Sequence, residues 1–167
     1  HRTRRRQRQM CIRDRDILAK KSNLPLYQLL GGKTNDKIPV YGYGMMLQKK
    51  TVDELCELFK NEASQIKENN FKAMKMKIGM GPKEDLKLVS AVRDTIGSEF
   101  KLMVDANNDY NKNDALYVGK GLDEMNIYWF EEPVAPEDYD GYKELKEKLK
   151  TNIAGGEAEF TKYGWNQ

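Results

Sequence analysis

Three carboxylates recur at one interval. Asp105, Glu131 and Glu157 stand 26 residues apart at each step, and Lys77 precedes Asp105 by 28. An interval of that length is one strand, one helix and their connections. The spacing therefore predicts all four residues at the same level of successive βα units, at the carboxyl ends of the strands. In parallel sheets and barrels of this kind, that edge is where ligands bind. Three carboxylates gathered there repel one another unless a hard cation neutralises them. Oxygen ligands suit Mg²⁺, which keeps its remaining positions for water and substrate. No histidine or cysteine joins the set, which argues against zinc. Any one of these acids alone reads as a solvated strand end or a helix cap; the shared interval and the lysine carry the metal reading.

Lys75 and Lys77 are two residues apart in a strand-like run, so they share one face while Met74 and Met76 take the other. Such a pair in water is an ordinary exposed strand face. Beside an anion held by a metal, the Lys77 ammonium is drawn inward. A lysine acts as a base only when neutral, a form favoured by burial or a neighbouring cation and opposed by carboxylates. In that form it can remove a carbon-bound proton, with a metal acting as Lewis acid on the substrate carboxylate. The run Asp105-Ala106-Asn107-Asn108-Asp109 invites a calcium-loop reading. That reading fails, because Tyr110 stands where the loop needs Gly and Leu116 where it needs Glu.

Alternating elements must position these residues. The apolar positions Ile17, Leu18, Leu24, Leu26, Leu29 and Leu30 predict a short helix over 16–30, ended by Gly31 and Gly32. A strand-like run follows at 38–44. Thr51 with Glu54 forms a capping box, opening a helix with Val52, Leu55, Phe59 and Ile66 on one stripe. A strand over 71–78 leads to a helix entered at Pro82 and capped by Gly97. Phe100 to Val104 predicts a strand ending at Asp105, and Ala115, Leu116, Val118, Leu122 and Met125 a helix. Ile127 to Phe130 predicts a strand ending at Glu131. Tyr142, Leu145 and Leu149 mark a further helix, and a fifth strand starts at Asn152. Near-continuous apolar strands alternating with helices imply a parallel α/β sheet covered on both faces. The alternation alone does not separate an open sheet from a barrel.

At 167 residues and 19.4 kDa, with 39% hydrophobic and 33% charged residues, the chain has the composition of a soluble domain. No apolar run approaches the roughly 20 residues of a membrane span, and no signal peptide is visible. Two cysteines, Cys11 and Cys56, cannot build a disulfide scaffold, so a cytoplasmic location is expected. A complete eight-stranded (β/α) barrel needs about 250 residues, so a chain of this length could hold only part of one. The formal charge of +3 is unevenly spread: residues 1–15 hold seven arginines against Asp14, while the rest is acidic. Two readings of this segment stand: a basic arm gripping nucleic acid through phosphates, or a foreign, artefactual leader outside the fold. The second is preferred.

Four motifs in order carry a resemblance. Lys75-Met76-Lys77-Ile78-Gly79, Val104-Asp105-Ala106-Asn107, Trp129-Phe130-Glu131-Glu132-Pro133 and Gly155-Gly156-Glu157 resemble the mandelate racemase/muconate lactonizing enzyme branch of the enolase superfamily. The resemblance runs from about Asp16 to the end, and Leu24 to Gly32 is similar to that family's join between capping domain and barrel. It implies an α/β fold: a partial TIM-type barrel of about five βα units with a remnant of the N-terminal capping domain. The expected boundaries are a leader over 1–15, the capping remnant over 16–37, and the first part of the barrel domain over 38–167.

The resemblance also implies roles. Asp105, Glu131 and Glu157 match the family's Mg²⁺ ligands, and Lys77 its lysine base. Lys75 matches the lysine that helps hold the substrate carboxylate, Asn107 a polar contact near metal and substrate, and Glu132 an acid beside the ligand. The shared step is proton abstraction alpha to a carboxylate, giving an enediolate. Gly155-Gly156-Glu157 followed by Glu159-Phe160-Thr161 looks more like mandelate racemase relatives and acid-sugar dehydratases. A sugar-acid dehydratase is therefore expected, with a racemase, epimerase or cycloisomerase of the same superfamily as the alternative. Its partner is a small-molecule carboxylate, with neither nucleic acid nor membrane, and the full-length parent is expected to be a homo-oligomer. One departure is large: the family's histidine–aspartate dyad has no counterpart, since the only histidine is His1. The chain alone is therefore expected to be inactive.

Overall fold

The computed structural model describes residues 2–159 and 164–166, with side chains described from residue 12 onward. Phe160 and Thr161, grouped above with Glu157, and His1 lie outside the described residues. The chain divides into two compact units, His1–Pro39 with Glu157–Gln167, and Val40–Gly156.

In the first unit, α1 spans Arg2–Lys21 and α2 spans Leu26–Leu29. The single helix predicted over 16–30 is thus two, and the break has a local cause. Asn23 takes a left-handed conformation (φ 50°). Its N–H donates to Lys20 O and that of Leu24 to Ala19 O, at 3.1 and 3.0 Å, which closes α1. Pro25 then forbids continuation. Gly31 ends α2 in the same way, with Gly31 N–H to Gln28 O and Gly32 N–H to Tyr27 O. A short 3₁₀ turn covers Gly164–Asn166.

The second unit alternates strand and helix throughout. In order it runs β1 (Gly42–Tyr43), α3 (Val52–Glu68), β2 (Ala73–Lys77), α4 (Pro82–Ile96) and β3 (Lys101–Asp105). It continues with α5 (Lys112–Glu124), β4 (Trp129–Glu131), α6 (Tyr139–Lys148) and β5 (Asn152–Ala154). The helix starts are written in the sequence. Thr51 and Glu54 close the expected capping box, with Thr51 N–H on Glu54 Oε2 at 2.8 Å. Pro82 occupies the first turn of α4. The Asn111 side chain accepts from the Asn113 and Asp114 N–H groups, so α5 starts three residues before its apolar stripe. β1 is shorter than the run at 38–44, because Pro39 has no N–H to offer a ladder, and Ile38 and Val40 are exposed. At Gly42 a Cβ would overlap the Ile66 side chain, so only glycine lets α3 pack this close to the strand.

All five strands are parallel and in sequential order, β1-β2-β3-β4-β5. That order decides what alternation could not. An open doubly wound sheet reverses its stepping direction and covers both faces with helices. Here every crossover steps the same way, so crossovers of one hand place every helix on one side, as in a barrel wall. The helix-facing side supplies Met74, Met76, Leu102, Val104 and Phe130. These pack with Phe59 of α3, Leu88 and Val92 of α4, Leu122 of α5 and Leu145 of α6. Burying each such side chain contributes on the order of 1.5–3 kcal/mol.

The other side of the sheet presents two rows. Pairing places Tyr43, Lys75, Met103, Trp129 and Asn152 in one, and Lys77, Asp105, Glu131 and Ala154 in the next, toward the carboxyl ends. Two latches hold the opposite, amino-terminal edge. Buried Arg93 donates to the carbonyls of Gly97, Phe100 and Asn126, tying the α4–β3 connection to the α5–β4 connection. The Asp123 carboxylate accepts from Lys150 N–H, Thr151 N–H and the Thr151 hydroxyl, fixing the entry to β5. Among the described residues, no helix is long and apolar enough to cross a membrane.

Candidate metal centre and base

The strand alternation decides which side chains meet. Met74 and Met76 turn into the helix-covered core, which leaves Lys75 and Lys77 on the opposite face with Asp105 and Glu131. Lys77 Nζ lies 2.6 Å from Asp105 Oδ2 and 2.5 Å from Asn107 Oδ1. Lys75 Nζ lies 2.7 Å from Glu131 Oε2 and 3.2 Å from Asp105 Oδ2. The Asn107 N–H donates to the other Asp105 oxygen at 3.0 Å. Asp105 is 1% exposed, so each of its oxygens is engaged in a nearly dry setting.

Lys75 is buried beneath two aromatic rings, with its nitrogen 5.9 Å from the centroid of Tyr41 and 5.6 Å from that of Tyr43. Burial alone would favour its neutral amine. The hydrogen bond with Glu131 and the charge of Asp105 outweigh that effect and hold its pKa above the ordinary lysine value. Lys75 therefore stays an ammonium, suited to binding an anion and unsuited to taking a proton.

Glu132 is buried and differs from its neighbour in conformation, with φ at 44°. Its carboxylate accepts from Asn108 Nδ2 at 3.1 Å, its carbonyl from the Asn108 N–H at 2.7 Å, and its own N–H donates to Ala154 O. Glu132 thus joins the ends of β3, β4 and β5 and sits behind Glu131.

Glu157 differs from the equal-level expectation. The residue paired with Glu131 on β5 is Ala154, and Glu157 follows three positions later, past Gly155 and Gly156. The 26-residue interval is the same at both steps, but the last one includes more chain beyond the strand. Glu157 also belongs to the other compact unit. Among the described residues, no three His, Cys, Asp or Glu side chains gather at metal-holding distance.

The donor chemistry of the second unit fits Mg²⁺. Asp105 and Glu131, on neighbouring paired strands, share one cation in the Lys75 ammonium and offer the hard carboxylate oxygens that this ion prefers. A cleft of about 200 Å³ adjoins Lys77, lined by Met46, Leu47, Ile78, Gly79, Asn107 and Asp109 among others.

Two contacts escaped the sequence reading. Trp129 Nε1 donates to Glu131 Oε2 at 3.1 Å, a contact that strand alternation could have suggested from their separation of two residues. Asp85 and Tyr110 link the loops after β2 and β3. No local pattern announces that link, because it depends on how two connections meet in space.

The chain is similar to known proteins over most of its length. Residues 58–167 match the family described as Enolase C-terminal domain-like. The arabinonate dehydratase of Saccharolobus solfataricus is 36% identical over 149 residues, covering 89% of this chain and 39% of that protein. The crystal structure of the 3,6-anhydro-D-galactonate cycloisomerase from Zobellia galactanivorans superposes with a TM-score of 0.80 at 43% identity, over 90% of this chain and 41% of that one. The L-talarate/galactarate dehydratase from Salmonella typhimurium LT2, liganded with Mg and L-lyxarohydroxamate, gives 0.71 at 33% identity, over 86% and 36%. The chain spans about two fifths of the length of the curated relatives it matches. Its five parallel strands are accordingly part of a (β/α) barrel, and the chain belongs to the mandelate racemase/muconate lactonizing enzyme branch of the enolase superfamily.

Proposed function

We propose that the whole protein carrying this segment is a Mg²⁺-dependent sugar-acid dehydratase that removes the proton alpha to a carboxylate. The observation that carries this reading is the contact of Lys77 Nζ with Asp105, in the same register row as Glu131 and at the carboxyl edge of the sheet. Asp105 and Glu131 would hold the ion, and Glu157 is the third ligand that the family resemblance implies. When bound, Mg²⁺ would supply Lewis-acid stabilisation of the substrate carboxylate as charge builds on it.

The chain's own residues do the rest. Lys75, held as an ammonium, binds and orients the substrate carboxylate. Asn107, whose Oδ1 faces Lys77, positions that amine. Glu132 keeps the ends of β3 and β4 in register behind Glu131. Lys77 in its neutral form takes the α-proton onto Nζ. The β-hydroxyl then leaves as water with a proton from a separate acid, and the resulting enol tautomerises to a 2-keto-3-deoxy acid. We assign that separate acid to barrel strands beyond the five described here. For that reason the 167-residue chain alone is expected to be inert.

A second reading is a cycloisomerase built on the same α-proton step, favoured by the 43% identity to the 3,6-anhydro-D-galactonate cycloisomerase. Incubating the whole protein with Mg²⁺ and a panel of aldonic, aldaric and anhydro-sugar acids separates the two. Release of water and a 2-keto-3-deoxy acid is expected. Ring opening or closure without water loss selects the second reading, and conversion of dipeptides or acylamino acids alone contradicts both.

A further inference from the structure

We propose that Asp85 is a positioning residue for the site, acting with Tyr110 to set where Lys77 and Asn107 stand relative to Asp105. Asp85 lies in the first turn of α4, is fully buried, and plays no part in the chemistry above. Its carboxylate takes the N–H groups of three consecutive residues in the β2–α4 connection: Gly79 at 3.0 Å, Met80 at 3.1 Å and Gly81 at 2.9 Å. It also takes the Tyr110 hydroxyl at 2.6 Å, from the β3–α5 connection.

The two connections held together in this way are the ones that bear the site. Lys77 is two residues before Gly79, and Asn107 is three before Tyr110. The pairing of the strands fixes the backbones of Lys77 and Asp105 but reaches no further. Ile78 N–H to Asp105 O at 3.0 Å is the last ladder bond between them. Past that point the chains are held by Asp85. At Gly79 (φ 128°) a Cβ would stand 3.3 Å from that of Asp109 and 3.5 Å from Ala106 O, so the connections are in close contact. Asn107 and Asn108 both have left-handed backbones, at 47° and 66°, a conformation that asparagine adopts more readily than other non-glycine residues and that turns the chain sharply at this point. Tyr110 is itself anchored, 6% exposed with its ring edge-on to Phe130 at 6.1 Å. A buried carboxylate with four charge-assisted donors is a stiff joint. It passes the placement of α4 and of the Tyr110 ring to the Lys77–Asn107 hydrogen bond.

This inference rests on the proposed role of Lys77 only for its chemical consequence. Its test is structural and stands apart from any turnover. Backbone and side-chain resonances of the full chain are compared by ¹⁵N NMR with those of Tyr110→Phe and Asp85→Asn. Tyr110→Phe removes one bond and keeps the ring, so it reports even if Asp85→Asn does not fold. Expected in each folded variant is faster amide exchange at Gly79, Met80 and Gly81, by about tenfold, the worth of one charge-assisted hydrogen bond. Alongside it, the Lys77 ammonium and Asn107 side-chain amide signals shift, while signals from the α5–α6 region stay in place. A purely structural role would loosen residues 79–81 and leave the Lys77 and Asn107 side chains where they are. That result, or unchanged exchange at 79–81, overturns the proposal.

Discussion

Lys75 on β2 reaches past β3 to Glu131 on β4, with 2.7 Å between ammonium and carboxylate, and touches Asp105 on β3 along the way. One cation therefore bridges the carboxylates of two neighbouring strands, while Lys77 pairs with Asp105 at 2.6 Å. Replacing it leaves both acids without that cation. Lys75→Met is expected to destabilise the fold by about 3–5 kcal/mol, the range for removing one partner from a buried ion pair. Urea unfolding measures this, and added Mg²⁺ is expected to raise the midpoint more in the variant than in the wild type. A variant as stable as the wild type would show that the pairing contributes nothing.

Arg93 is expected to resist conservative exchange. Its planar fork meets the carbonyls of Gly97, Phe100 and Asn126 at 2.9, 2.7 and 2.9 Å, while burial lowers its pKa. A lysine has one nitrogen and cannot reach three such acceptors in two connections. Arg93→Lys is expected to cost roughly 1–3 kcal/mol by giving up charge-assisted hydrogen bonds that lie partly buried. Equal urea midpoints would contradict that account.

Much of this architecture was legible in the sequence, for a physical reason. Met74 and Met76 against Lys75 and Lys77 is an alternation that only a strand with one apolar face satisfies. Thr51 with Glu54, Pro82 and Gly97 mark helix ends by local chemistry that operates wherever the chain goes. What stayed hidden depends on distant chain. The break at Asn23 lies inside an apolar pattern that continues across it. Equal spacing placed Glu157 level with Glu131, but spacing counts residues and not where each strand stops, and Ala154 holds that level. Asp85 reads as an ordinary first-turn acid until the connection after β3 brings Tyr110 to it.

Alkaline pH offers a separate check on Tyr110. Burial, reinforced by the charge of Asp85, raises its phenol pKa well above the ordinary value of 10.0. Above about pH 10 the unfolded chain loses this proton while the folded chain keeps it. The stability due to that proton is therefore fully present below pH 10 and is lost progressively as pH rises beyond it. Tyr110→Phe is expected to be less stable near neutrality, with a shallower decline above about pH 10 than the wild type. Parallel declines in the two proteins, followed by urea midpoints from about pH 8 to about 11, would contradict the assignment.

In the proposed reaction Lys77 takes the α-proton beside Asp105 and Glu131, two carboxylates that would help hold Mg²⁺. The most direct test is the steady-state turnover of a sugar-acid substrate by the whole protein and its Lys77→Met variant, with Mg²⁺ affinity measured on both. In the variant kcat is expected to fall by roughly 10²–10⁴-fold, the range for losing a positioned general base, with Mg²⁺ affinity altered only severalfold. Turnover within severalfold of the wild type would contradict it.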